Sequence, residues 1–202
     1  MRLFASFAAL ALVAIIPTLS QATSLNDVQA HLKTVSTMTA HFVQIDRNGK
    51  TLSGELKLKR PGHIRFEYQK DAGILVVADG KTLNFIDYRV NQVSKWPIGK
   101  SPLAILLDPN RDLSSVAKVV PSNDSRLTLV EARDAKHPEF GTITLAFAHN
   151  ASAPAGLSLQ GWVTADSQGN QTVIRLSDTH LNASLSDEAF SWRDPRPNNQ
   201  GH

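Results

Sequence analysis

Alternation with a period of two governs residues 37–176. Ala40, Phe42 and Gln44 fall on one side of a strand whose other side carries His41, Val43 and Ile45, because successive side chains of an extended chain point to opposite faces. Further strands are expected at residues 52–59, 64–68, 82–87, 91–95, 127–131, 142–148, 156–164 and 172–176, and 74–78 reads as a buried strand. Turn formers separate them: Asn48-Gly49, where both residues tolerate positive φ, then Asp79-Gly80 and residues 166–170. Many short strands at such spacing argue for a sandwich or a barrel. The expected fold is mainly β, a mostly antiparallel and strongly curved sheet with a few helices. With aromatics at 6%, such a sheet can hold a cavity as easily as a packed core, and composition leaves both open.

The pattern is interrupted at identifiable places. Ser24 can cap a helix over 25–34, where Leu25, Val28, Leu32 and Val35 lie near one face and Asp27 sits at the positive end. Ser101-Pro102 is a cap followed by a first-turn proline. Behind it Leu103, Ala104, Ile105, Leu106 and Leu107 make a short helix that is apolar on every side, stopped by Asp108-Pro109. Residues 111–116 can add another turn or two, and the polar, Pro-rich tail 194–202 is expected to fray. No internal repeat and no linker divides the chain.

Residues 1–22 read as an export signal. Arg2 opens them, residues 3–16 are apolar apart from Ser6, Pro17 ends the run, and Ser20-Gln21-Ala22 offers small residues to a signal peptidase. The apolar run is short for a membrane span. Residues 23–202 then form one soluble domain in the periplasm. The absence of cysteine excludes a disulfide framework, a thiol nucleophile and a Cys-ligated metal. A net charge of +3 without a dense Lys/Arg run gives nucleic-acid binding no support.

Catalytic patterns are missing. There is no Gly-x-Ser-x-Gly, His-Glu-x-x-His, phosphate-cradling glycine loop or Gly-x-Gly-x-x-Gly. The seven histidines (31, 41, 63, 137, 149, 180 and 202) show no metal-ligand spacing and read as scattered surface or half-buried side chains. No catalytic residue, metal or cofactor is assigned. Glu55 and Glu67 sit between apolar neighbours and point to the wet face. Arg60 differs: it shares parity with Leu56 and Leu58, so a regular strand turns it to the apolar face. A lone buried guanidinium is costly. Either the strand ends at Pro61-Gly62 and Arg60 reaches solvent, or it stands at a cavity rim and donates to carbonyls of a lid or ligand. The helix holding Leu103, Ile105, Leu106 and Leu107 is likewise either an ordinary core helix or a lid over an open end of the sheet.

Several segments in fixed order resemble the periplasmic outer-membrane lipoprotein carrier family (LolA-type). They are Phe42-x-Gln44, then Ser53-Gly54-Glu55-Leu56-Lys57-Leu58-Lys59-Arg60-Pro61-Gly62-x-x-Arg65-Phe66-x-Tyr68, then Val76-Val77-Ala78-Asp79-Gly80-Lys81-Thr82-Leu83 and Ser101-Pro102-Leu103. Phe190-x-Trp192 matches the family's C-terminal strand. The resemblance implies an unclosed antiparallel β-barrel with an N-terminal helix and short lid helices over an apolar cavity that takes lipoprotein acyl chains. It implies a monomeric chaperone that carries acylated lipoproteins from an inner-membrane ABC transporter towards the outer membrane and a possible acceptor there, without catalysis. Arg60 matches the family's functional arginine before a proline. Ile64 and Phe66 depart from the aromatic residue and the tryptophan often found at those positions. Phe42, Leu56, Leu58, Ile64, Phe66 and Phe85 are the candidate cavity residues, and Leu103, Ile105, Leu106 and Leu107 the candidate lid. A carrier or sensor of another periplasmic lipid or glycolipid is the alternative.

Overall fold

The computed structural model describes residues 23–197; the export segment 1–22 and residues 198–202 lie outside them. Helix α1 (Leu25–Thr34) begins as the sequence indicates. The Ser24 hydroxyl accepts from the Asp27 N–H (3.3 Å), and the Asp27 carboxylate accepts from the Ser24 N–H (2.8 Å). Two otherwise orphaned donors are thereby satisfied. Its buried face is Val28, His31 and Leu32.

Eleven strands follow: β1 (Thr37–Ile45), β2 (Thr51–Lys59), β3 (His63–Tyr68), β4 (Ile74–Asp79), β5 (Thr82–Asp87), β6 (Gln92–Pro97), β7 (Ala117–Val120), β8 (Leu127–Arg133), β9 (Thr142–His149), β10 (Leu157–Ala165) and β11 (Gln171–Leu181). They form one sheet in the order β6-β5-β4-β3-β2-β1-β11-β10-β9-β8-β7, and the paired strands run antiparallel. The two edges, β6 and β7, are consecutive in the chain. The sheet is therefore an up-and-down meander left open at one seam. The connection across that seam carries the one-turn helix α2 (Ala104–Leu107).

The curvature is visible in the packing. A single core cluster joins Leu56, Leu58, Ile64 and Phe66 from β2 and β3 to Val130, Ile143, Leu145 and Phe147 from β8 and β9, with α1 and α2 between them. Strands from opposite halves of the sheet can share a core only if the sheet wraps around the helices. A second, smaller cluster lies on the outer face, where Leu75, Val77 and Ile86 of β4 and β5 are covered by Phe190.

Several expectations are corrected. At Asn48-Gly49 the chain makes a longer turn: Asp46 Oδ1 accepts from the N–H groups of Asn48 and Lys50 (2.8 and 2.9 Å), and only Gly49 of the pair has positive φ (77°). Strand β7 was not anticipated, being four residues of Ala, Lys and Val with no clear period. Residues 111–116 do add a turn, the 3-10 turn Leu113–Ser115. Phe190-x-Trp192 is not a strand; Phe190 closes the 3-10 turn Asp187–Phe190 and plugs the outer face. His31 is neither superficial nor half-buried but 1% exposed, edge-on to Phe147 at 5.3 Å, with Nδ1 3.1 Å from the Pro154 carbonyl.

Burial pushes the His31 pKa below its ordinary value, with the Arg60 charge acting the same way. The unfolded chain therefore binds a proton here that the native state resists. The neutral histidine's contribution is complete above the unfolded pKa of about 6.5 and is lost as pH falls towards the lower folded value. Melting temperatures measured from pH 7 down to pH 5 should fall, and His31→Gln should flatten that slope.

Candidate functional site

Arg60 follows β2 and keeps the parity of Leu56 and Leu58. Its own N–H is held by the Ser36 carbonyl at 2.8 Å, so the strand stays in register past its end. Arg60 is buried, 8% exposed as a residue. Its Nε donates to the Leu106 carbonyl at 2.8 Å and its Nη1 to the Val35 carbonyl. Burial lowers its pKa to about 10, still far above neutral, so the charge persists. Among the described residues no carboxylate pairs with it. Of the two readings open in the sequence, the structure shows the one in which Arg60 bonds carbonyls.

Those carbonyls are informative. The last C=O groups of a helix have no partner within it. In α2 the Leu106 carbonyl goes to Arg60 and the Leu107 carbonyl accepts from the Gly62 N–H at 3.0 Å. Gly62 is itself fixed, its carbonyl accepting from Gly80 N–H at 3.2 Å. Its φ is +79°, and a Cβ there would lie 2.8 Å from the Gly80 Cα. The β2–β3 turn is therefore a two-point clasp on the end of α2. At the other end Ser101 accepts from Leu103 N–H through its hydroxyl (3.2 Å) and from Ala104 N–H through its carbonyl (3.0 Å).

An open cavity of about 450 Å³ lies inside the sheet beside residues 101–103. Phe66, Val76, Phe85, Trp162 and Ile174 give it apolar walls. Phe42 stands behind, edge-on to Phe66 at 5.3 Å and to Tyr68 at 5.0 Å. Of the residues anticipated from the sequence, Phe66, Phe85 and Leu103 line this space. Phe42, Leu56, Leu58 and Ile64 do not; they form the packed interior, each at most 1% exposed. Leu106 and Leu107 are buried at the clasp, and Ile105 borders a small crevice with Pro102 and Ala132. Val76, Trp162, Ile174 and Tyr68 were missed as cavity residues. Parity could have found Tyr68, which continues the stripe of Ile64 and Phe66.

Among the described residues no group of three His, Asp or Glu side chains is placed to hold a metal ion. What the geometry offers is a half-closed barrel, an oily hollow and a short apolar helix lying across the open seam on polar fastenings: the architecture of a hydrophobic-ligand binder.

The sequence comparisons agree with that class. The sequence model of the family described as "Outer membrane lipoprotein carrier protein LolA" matches residues 33–193. The chain is 30% identical to an outer-membrane lipoprotein carrier protein of Chromobacterium violaceum, covering 96% of this chain and 95% of that one. It is 31% identical to one of Dechloromonas aromatica, covering 90% and 89%. Among solved structures it is similar to a LolA-superfamily protein from Nitrosomonas europaea at TM-score 0.47 and 10% identity, over 85% of this chain and 99% of that one. The chain belongs to the LolA family of outer-membrane lipoprotein carriers.

The clasp makes a measurable prediction. Gly62→Ala forces a side chain into a strained conformation and against Gly80, so urea melts should show a loss of about 1–3 kcal/mol. The amides of Leu106, Leu107 and Asp108, bonded at 3.0–3.1 Å to Leu103 and Ala104 carbonyls, should exchange faster in that variant than the amides of β1 and β2.

Proposed function

We propose that this protein shelters the acyl chains of lipoproteins in its cavity and moves them across the periplasm, taking them from an inner-membrane ABC transporter and releasing them towards the outer membrane. Export through residues 1–22 is part of the reading. The observation that carries it is the Arg60 clasp, a charged latch that joins the Leu106 carbonyl of α2 to the Val35 carbonyl at the end of α1, next to the segment 101–103 that borders the hollow. Lipoprotein carriage is the function for which the family is described.

The magnitudes fit. With a methylene taken as similar in volume to a water molecule in the liquid, about 30 Å³, a cavity of about 450 Å³ holds roughly fifteen methylenes, one long acyl chain. At about 0.8 kcal/mol per methylene, such a chain gains on the order of 12 kcal/mol on burial. An anchor with more than one chain needs α2 to move aside. Leaving uncovers Ile105, Leu106 and Leu107, each worth about 1.5–3 kcal/mol when buried, and cargo hydrocarbon takes their place. One further acyl chain gains about 12 kcal/mol against a loss of about 4.5–9 kcal/mol, so the two are of the same order. The Arg60 hydrogen bond to Leu106 remains on the side of the closed state, at about 1.5–3 kcal/mol for a bond to a charged group. It favours return of the lid and keeps cargo binding reversible.

Arg60→Leu removes the latch and leaves an apolar side chain facing an apolar lid. The variant should load acylated cargo at least as well as the parent and hand it on poorly. Reconstituted transfer from donor to acceptor membranes measures both steps, and undiminished release by the variant would falsify the role assigned to the guanidinium.

A further inference from the structure

The cavity is not uniformly apolar. The inward stripe of β1 runs Met38, Ala40, Phe42 and then Gln44, and that of β3 runs Ile64, Phe66 and then Tyr68. Each stripe is hydrocarbon or aromatic ring until its last residue, and both last residues line the cavity. On the far wall the same step occurs. Trp162 and Ile174 face each other across β10 and β11, and one inward position further along, Thr164 pairs with Thr172. Four strands thus change from apolar to polar at the mouth. Polar groups facing hydrocarbon are costly unless they find partners, so a pocket for hydrocarbon alone gains nothing from such a collar.

Within the collar, Gln44 and Tyr68 are built together. The Tyr68 hydroxyl donates to Gln44 Oε1 at 2.6 Å. Burial pushes the Tyr68 pKa up to about 12, so the phenol keeps its proton and remains the donor. The contact spans β2, and Gly54 makes it possible. Gly54 is the residue between Phe42 and Tyr68 in the ladder, and a Cβ there would lie 2.0 Å from the Glu67 carbonyl oxygen. With no side chain intervening, Tyr68 reaches across to Gln44 while its ring rests edge-on against Phe42. The bond occupies the amide oxygen and turns the amide's identity into that of a donor. Among the described residues the Gln44 NH₂ group makes no hydrogen bond, and it stands at the cavity.

We propose that Gln44, oriented by Tyr68, donates a hydrogen bond to the ester carbonyl at the root of an acyl chain whose hydrocarbon lies against Phe66, Phe85 and Trp162. The pocket then reads the acyl-ester group of a glyceryl lipid and sets which end of the chain faces out. This rests on the reading of the cavity as an acyl-chain site. Gln44 is a binding residue in this arrangement and Tyr68 a positioning residue. The same ester group occurs in the diacylglyceryl anchor of a lipid-modified protein and in a phospholipid.

The test is displacement of a fluorescent hydrocarbon probe from the full mature chain by matched lipids: a dipalmitoyl-glyceryl lipopeptide, its dialkyl-ether analogue, and a dipalmitoyl phospholipid with its ether analogue. The parent protein should bind each ester about five- to tenfold more tightly than its ether, the worth of one neutral hydrogen bond. Gln44→Leu should erase the difference while still binding the hydrocarbon probe, which also shows that the variant is folded. Gln44→Glu, of the same size but without the donor, should erase it too. Tyr68→Phe should reduce it. Tighter binding of the lipopeptide than of the phospholipid assigns the ester to a protein anchor, and the reverse assigns it to membrane lipid. Equal affinity for ester and ether in the parent, or an ester preference that survives both Gln44 variants, overturns the proposal. Failure of every lipid and of the probe to bind overturns the acyl-carrier reading itself, and this proposal with it.

Discussion

A guanidinium taken out of water with only backbone carbonyls for company is an unstable element to build around, and this fold is built around one. Arg60 ties the end of α2 to the junction between α1 and β1, through the Leu106 and Val35 carbonyls. A carboxylate partner would have made a stronger and more permanent pair. Carbonyls make a fastening in which the buried charge has two partners with α2 in place and would keep only Val35 if α2 moved away. In the proposed reading the charge acts on the lid equilibrium without touching cargo.

The sheet surrounds both helices. Its inner face is continuous from β2 to β10, so α1 and α2 are packed by both halves at once. The outer face of β4 and β5 is braced separately by Phe190. A wall supported from outside keeps its shape when something inside moves, which the proposed movement of α2 requires.

The strands were legible because alternation is a property of the chain itself, and ten of them were anticipated. Strand β7 was not, because Ala117, Lys118, Val119 and Val120 are too few to show a period. The capping box of α1 was visible in Ser24 and Asp27, and the short helix in Ser101 and Pro102. Parity placed Arg60 on the apolar face but could not tell solvent from a carbonyl, since that depends on α2, some 45 residues later in the chain. The same limit explains the cavity. Alternation tells which side chains face inward, and Phe42, Leu56, Leu58 and Ile64 do. Whether an inward residue meets another side chain or empty space is set by the strands opposite, so Trp162 and Ile174 came to light only in three dimensions. His31 was hidden for a related reason: its helix position matched no metal spacing, and only the fold brings Phe147 and Pro154 around it.

The seam between β6 and β7 has one more implication. Because these edge strands are neighbours in sequence, the break in the wall and the piece that stops it are encoded in a single uninterrupted stretch, residues 98–116. Everything else in the barrel is held by strand ladders that do not pass through it. Evolution can therefore lengthen, stiffen or re-tune the stopper as a cassette, altering how much a carrier holds and how readily it lets go, while the vessel keeps its form.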